Sequence, residues 1–312
     1  MMVKEALNLR KMKEREARTV FNILSEQFRE EFDRGGISYR NIDRLIRLNW
    51  LLLGLPRRIL VPNMAFHVVE REHDKEIVSC LSIAPEQTGD GYFIDSLAIK
   101  RGLEGQGLGT AMMKLVIDRY GDEKLSLGVR ANNEGALRLY KKSGFTVSSE
   151  VPHFYFNNPL KTRELAGDFE ARLAVKEDLK KLDRILNEVP NMKDLQKSYK
   201  GSFNRNETRF YRFHYQLPSV ILLKGEIVGI GRALWSKFSP TAQITASAVL
   251  PEAKAAYPGF ISYISEQLAH QGINRAYWAG FTHHQPFIED MKQFLGKPTV
   301  TFYQMERKGL DT

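Results

Sequence analysis

Cysteine is nearly absent: 312 residues carry one, Cys80. A single thiol excludes an internal disulfide and a multi-cysteine metal site. Long apolar runs are absent too. The most apolar stretch, WLLLGL at 50–55, is far shorter than the roughly 18 residues of a membrane span. The opening segment MMVKEALNLRKMKEREAR is charged throughout and lacks the apolar core of a secretory signal. These absences point to a cytoplasmic protein with no membrane partner. Dense Lys/Arg tracts interleaved with aromatics are also missing. The net charge of +9 therefore indicates anionic partners in general rather than nucleic acid in particular. What remains is ordinary: 43% apolar and 27% charged residues, enough for real cores, in a length that suits two domains.

The two halves resemble each other. KEIVSCLSI at 75–83 matches GEIVGIGRA at 225–233, and IDSLAIK at 94–100 matches ITASAVL at 244–250, at a constant offset of 150. Upstream, LRKMKEREARTVFNIL at 9–24 matches ARLAVKEDLKKLDRIL at 171–186, each reading as a short strand followed by an amphipathic helix. The offset is too long for a solenoid unit and indicates a repeated domain. FNNPLKTRELAGD at 156–168 has linker composition. The expected boundaries are thus 1–156, a linker 157–168, and 169–312.

Within the first half, the pattern predicts helices at about 14–32 and 39–53 and strands at 65–72, 76–84 and 92–99. A glycine-rich loop, a helix to Tyr120, a strand 124–129, a helix 134–143 and a strand from Phe145 follow. Hairpins followed by strand–helix–strand predict an α/β (α+β) mixed sheet with helices on its faces.

The loop is GLEGQGLG, residues 102–109, four glycines in eight residues. Behind it Met112, Met113, Val116, Ile117 and Tyr120 fall on one helix face. The loop therefore delivers the chain to a helix N-terminus, where free N–H groups and the dipole favour an anion, and bare glycines leave room for it to approach. The P-loop ending Gly-Lys-Ser/Thr and the dinucleotide pattern Gly-x-Gly-x-x-Gly both fail to fit. Taken alone, the loop is either a phosphate cradle or a plain flexible turn.

Downstream, NNEGALRLYKKSGF at 132–145 places Asn133, Ala136, Leu139, Tyr140, Gly144 and Phe145 in a second pattern. Together the two stretches resemble the GNAT superfamily of N-acetyltransferases. Its signature loop is Gln/Arg-x-x-Gly-x-Gly/Ala, and its second signature is Asn-x-x-Ala-x-x-Leu-Tyr followed by Gly-Phe. Gly107 and Gly109 match the loop; Glu104 stands where the family has Gln or Arg, with Arg101 nearby. The likeness is strong over about 66–156.

The resemblance implies acetyl-CoA, or a related acyl-CoA, as the acyl-donor cosubstrate. It implies that the backbone of Leu97, Ala98 and Ile99 pairs with the pantetheine arm, and that the sheet splits at this point, often through a bulge, to admit the cofactor. Gly105, Gln106, Gly107, Leu108, Gly109 and Thr110 would hold the pyrophosphate through backbone N–H groups, and Asn133 would bond the pantetheine side. Arg138 and Lys142 could approach the phosphates or form a solvated helix face. Tyr140 takes the position of the acid that protonates the leaving thiolate; Ala136, Leu139 and Tyr140 also make an apolar face, so a core role stands beside it. Asp95 is the first candidate for the base, with Glu86 and His67 behind it, and a structural hydrogen bond is its alternative role.

The second half keeps the elements and loses the loop. At the offset of 150, Tyr257 replaces Gly107 and Pro258 replaces Leu108, in PEAKAAYPGF at 251–260. Tyrosine fills space and proline removes an N–H. The Asn–Tyr signature is missing as well. This half reads as a degenerate GNAT-like domain without a cofactor site of the usual kind. Adjacent His283 and His284 lack a clear third ligand, so no metal is expected. Trp235, Trp278, Tyr277 and Phe281 are either core aromatics or the lining of an acceptor pocket.

The expected activity is transfer of an acetyl group from acetyl-CoA to a primary amine, on a small molecule or a peptide, by direct attack. The alternative is a non-catalytic acyl-CoA-binding sensor or assembly subunit. A nucleic-acid-associated acetyltransferase is suggested by the charge alone. The acceptor, the acyl length and the oligomeric state are not encoded in any pattern found here.

Overall fold

Strands and helices alternate through two units in the computed structural model, which describes residues 6–35, 64–86, 90–160, 165, 167–189, 214–236, 239–280 and 282–309. The first unit comprises 1–149 and 303–312, and the second 150–302. The expected helix at 39–53 lies outside the described residues.

In the first unit, β1 (Leu7–Lys11), β2 (Ala65–Arg71), β3 (Ile77–Pro85) and β4 (Gly91–Ile99) pair antiparallel in sequence order. β5 (Lys124–Arg130) then joins β4 in parallel. The predicted helix at 14–32 is a 3-10 turn at Glu14–Glu16, α1 (Ala17–Gln27) and α2 (Arg29–Gly35), with a break at Phe28. α1 buries Val20 and Ile23 against Val68, Cys80 and Ala98 on one sheet face. α3 (Leu108–Tyr120) buries Met112, Met113 and Val116, the residues its 3.6 periodicity selects. α4 (Glu134–Lys142) follows β5.

In the second unit, β7 (Phe169–Leu173), β8 (His214–Leu223), β9 (Glu226–Ser236) and β10 (Ser239–Val249) pair antiparallel, and β11 (Arg275–Ala279) joins β10 in parallel. α5 (Asp183–Glu188), α6 (Tyr257–His270) and α7 (Ile288–Leu295) complete it. The repeat extends to single contacts. Arg10 grips Glu16 with two hydrogen bonds of 2.8 Å while Glu16 accepts the Lys13 N–H. At the offset of 162, Arg172 grips Asp178 at 2.7 and 2.8 Å while Asp178 accepts the Val175 N–H. Each clasp ties an edge strand to the turn that follows it through a bidentate pair.

The units divide the chain differently from the expected boundaries. The strand after α4, β6 (Thr146–Asn157), places only its first residues in the first unit; from Glu150 it runs in the second, beside β11. The strand after α7 is β12 (Val300–Arg307). Its residues from Tyr303 onward belong to the first unit, next to β5. There Met305 is fully buried, and Thr146 and Ser148 donate to the carbonyls of Glu306 and Gln304. Each unit thus takes its sixth strand from the other half of the sequence.

Among the described residues, no helix is long and apolar enough to cross a membrane, and no group of three metal-ligating side chains converges.

Candidate active site

β4 and β5 pair only from Gly91↔Lys124 to Ile94↔Leu127, although β4 continues to Ile99 and β5 to Arg130. The parallel pair therefore opens into a fork one residue before Asp95. Leu97, Ala98 and Ile99 remain paired to Leu81, Cys80 and Ser79 on β3. Their opposite edge has no strand partner among the described residues, and its backbone groups are free to take one.

The start of the fork coincides with a β-bulge. Ser82 opposes Ser96 and Ile83 opposes Ile94, so Asp95 is the extra residue. Ser82 Oγ donates to Asp95 Oδ2 at 3.0 Å and lies 2.6 Å from Ser96 Oγ. The Asp95 carboxylate reaches solvent, yet crowding removes enough water to raise its pKa; the Ser82 hydrogen bond acts in the opposite sense.

The glycine loop follows β4. Gly102, Gly105 and Gly107 have φ of +86°, +76° and +82°, the left-handed region that glycine enters without cost. Gly107 is the N-cap of α3 and provides no side-chain cap, which leaves the first-turn N–H groups to a ligand or water. A Cβ at Gly105 or Gly107 would meet nothing within 4 Å, so the outer surface of the loop is open. Glu104 does not enter this surface from within: it is exposed and accepts the Gly102 N–H at 2.7 Å.

Gly109 has a different reason. A Cβ there would lie 3.1 Å from Leu139 Cδ2 and 3.5 Å from Ile99 Cδ1. This close approach brings the end of β4, the start of α3 and α4 to one place. On α4, Asn133 is the N-cap; its Oδ1 accepts the Ala136 N–H at 3.1 Å, and the residue is exposed. Tyr140 is 7% exposed, packs against Phe145, and has its pKa pushed up to about 12 by burial. Arg138 pairs with Glu134 one turn away on an exposed face. Lys142 is exposed.

The other candidate bases are committed elsewhere. His67 is fully buried, lies 2.9 Å from the Tyr120 hydroxyl, and has its pKa lowered to about 4 by desolvation and then by Arg119. Glu86 accepts a short hydrogen bond from buried Ser126 on β5. Ser82, Ser96 and Ser126 were not singled out from the sequence. The available signal was a hydroxyl inside the apolar run VSCLSI at 78–83.

The second unit repeats the fork and closes it. β10 and β11 pair from Thr241↔Arg275 to Ile244↔Trp278, and β10 runs on to Val249 past a second bulge. Tyr257, fully buried, places its hydroxyl 2.8 Å from Ser247 Oγ on β10 and accepts the Trp278 indole N–H at 2.9 Å from β11. Its ring stacks on Phe287 at 4.1 Å. Buried His284 lies 2.9 Å from Ser247 Oγ through Nε2, and its Nδ1 lies 2.5 Å from the Ala279 carbonyl. Tyr257 thus bridges the two arms at the position where the first unit has Gly107. Trp278 is core; Tyr277 stacks on Tyr155 at 4.9 Å, and half-buried Trp235 on Tyr215 at 5.5 Å. Phe281 lies outside the described residues.

A family profile described as the acetyltransferase (GNAT) family matches residues 17–145, the stretch that carries the open fork, the loop and α4. An N-alpha-acetyltransferase of Sulfurisphaera tokodaii is 30% identical over 37% of this chain and 80% of its own length. The chain belongs to the GNAT family of acetyltransferases. Solved structures share its fold across both halves. A tandem GNAT protein from the clavulanic acid biosynthesis pathway is 15% identical with a TM-score of 0.62, over 97% of this chain and 99% of its own. A GCN5-related N-acetyltransferase from Sphaerobacter thermophilus is 14% identical with a TM-score of 0.65, over 98% of each chain. The stretch that matches the family profile holds the open fork, and the second unit, outside that stretch, holds the closed one.

Proposed function

We propose that the first unit transfers an acetyl group from acetyl-CoA to a primary amine, and that the second unit has no cofactor site. The observation that carries this reading is the convergence at Gly109 of an unpaired β4 edge, an uncapped helix N-terminus and the Tyr140 helix, set against Tyr257 filling the same place in the second unit. Acetyl-CoA would supply an activated thioester. Leu97, Ala98 and Ile99 would pair with its pantetheine arm as an added strand. The N–H groups from Gly105 to Thr110 would hold the pyrophosphate, and Asn133, with Oδ1 already committed to its cap, would donate through Nδ2.

The residues divide the proton work. Asp95 takes a proton from the incoming ammonium, which frees the nitrogen lone pair to attack the thioester carbonyl. The C–N bond forms and the C–S bond breaks. Tyr140 gives its proton to the departing sulfur and recovers one from the nitrogen as the amide forms. A phenol raised to about 12 stays protonated at neutral pH, which suits a donor.

Calorimetric titration with acetyl-CoA tests the binding half. The expected result is one equivalent, lost in Gly107→Tyr, which copies the second unit's loop residue. A panel of amines (peptide α-amines, lysine, polyamines, aminoglycosides), followed by thiol release, tests the transfer half. Tyr140→Phe should lower kcat on any accepted amine by roughly 10²–10³-fold. One bound equivalent with slow hydrolysis and no amine preference would favour an acyl-CoA sensor instead.

A further inference from the structure

Ser82 is a hydroxyl in the interior: 1% exposed, on β3, between apolar neighbours. A buried hydroxyl is costly unless bonded. The nearby Ser79 is accounted for, because it donates to the Ala98 carbonyl at 2.7 Å. Ser82 instead faces two residues at once. The bulge sets both Asp95 and Ser96 opposite it, at 3.0 and 2.6 Å. An ionised carboxylate only accepts, and a serine has one proton to give. The direction of the chain is therefore fixed: Ser96 donates to Ser82, and Ser82 donates to Asp95.

We propose that Ser82, backed by Ser96, is the positioning residue that holds the Asp95 carboxylate at the apex of the fork. The inference rests on the reading of Asp95 as the proton acceptor. Its consequence is electrostatic. Burial pushes Asp95 toward the neutral form, and the Ser82 hydroxyl restores the charged one. The elements packed against β4 carry Arg18 and Glu26 on α1, Lys114, Asp118 and Arg119 on α3, Lys124 and Arg130 on β5, and no charge on β3. None of them is among the causes of the Asp95 shift, whereas the Ser82 hydroxyl is. A bulge that only bent the strand would not need a polar residue opposite it.

The test needs no identified acceptor. The protein is labelled with ¹³C at aspartate Cγ, and the Asp95 resonance is assigned by its loss in Asp95→Asn. The midpoint of its pH titration is then measured in wild type, Ser82→Ala, Ser82→Thr and Ser96→Ala. A charged hydrogen bond of ordinary strength predicts a rise of about one pH unit in Ser82→Ala. Ser82→Thr, which keeps the hydroxyl, should restore the wild-type midpoint, and Ser96→Ala should shift it upward by less. Unmoved midpoints in both alanine variants overturn the proposal; should Ser82→Ala not fold, an unmoved Ser96→Ala midpoint does so alone. On an accepted amine, full activity in Asp95→Asn removes the base reading and this inference with it. An inactive Asp95→Asn with an unchanged acidic limb in Ser82→Ala removes this inference alone.

Discussion

Both units split a mixed sheet at a parallel strand pair, and they do opposite things with the gap. Among the described residues, the first unit leaves the edge of Leu97–Ile99 without a strand partner and follows it with a loop whose glycines present backbone and no side chains. The second unit spends its gap on itself. Tyr257, Ser247, Trp278 and His284 form a buried polar cluster that ties one arm to the other. Both units therefore have the fork, and they differ at the start of the helix that follows it, with Gly107 as the N-cap of α3 and Tyr257 as the first residue of α6. Closing the gap with a side chain yields a core; leaving it open leaves backbone groups to water or a ligand.

The largest expected break in this comparison is removal of residues 303–312. The second unit keeps β6–β11 and should unfold cooperatively. The first unit loses the strand beside β5 and buried Met305. Circular dichroism and acetyl-CoA titration of this deletion should show one folded unit and no binding. Retained binding would mean that β12 is dispensable there.

Next is Tyr257→Ala. Removing a fully buried aromatic should cost about 3–5 kcal/mol in urea unfolding. It should create no second acetyl-CoA equivalent, because Pro258 still removes an N–H and no Asn–Tyr helix faces the gap.

A smaller effect concerns one buried histidine in each unit. Burial lowers His67 and His284 to about 4. The unfolded chain binds their protons near pH 6.5, so it gains protons first as the pH falls. The stability due to neutral histidine is complete above about 6.5 and is lost between 6.5 and 4, at about 1.4 kcal/mol per pH unit for each residue. Urea midpoints through this window should fall, and His284→Gln should flatten the fall for the second unit while leaving that of the first.

The smallest effect is Arg138→Ala. Its partner Glu134 is on the same exposed face, so stability should change by less than about 0.5 kcal/mol. Acetyl-CoA affinity should be unchanged as well, if the helix face is only solvated. A clear loss of affinity would bring Arg138 to the phosphates.

What was legible in the sequence follows from which interactions are local. The Gly102–Gly109 loop, the Met112/Met113/Val116 face and the Asn133–Tyr140 helix are short-range patterns, and each appears where the letters place it. The repeat was legible in the offsets, but the Arg10–Glu16 and Arg172–Asp178 clasps were not. Charges at a helix start read as solvated until their partners are seen. The family resemblance implies a split in the sheet at Leu97–Ile99, often through a bulge, but the place of the bulge at Asp95 is a matter of register with β3, which no residue type specifies on its own. The exchange of β6 and β12 was hidden for the same reason, because a strand's letters state which face is apolar and not which neighbour it takes.

That exchange sets an order of events on the ribosome. The first unit's helices, loop and fork are made early, but the strand that lies beside β5 is not made until the whole of 150–302 has been synthesised. A nascent or clipped chain that stops short of Tyr303 holds every signature residue of the family and lacks the strand that supports them. The strand beside β5 is therefore the last part of the first unit to be made, although the unit's signature residues are encoded first.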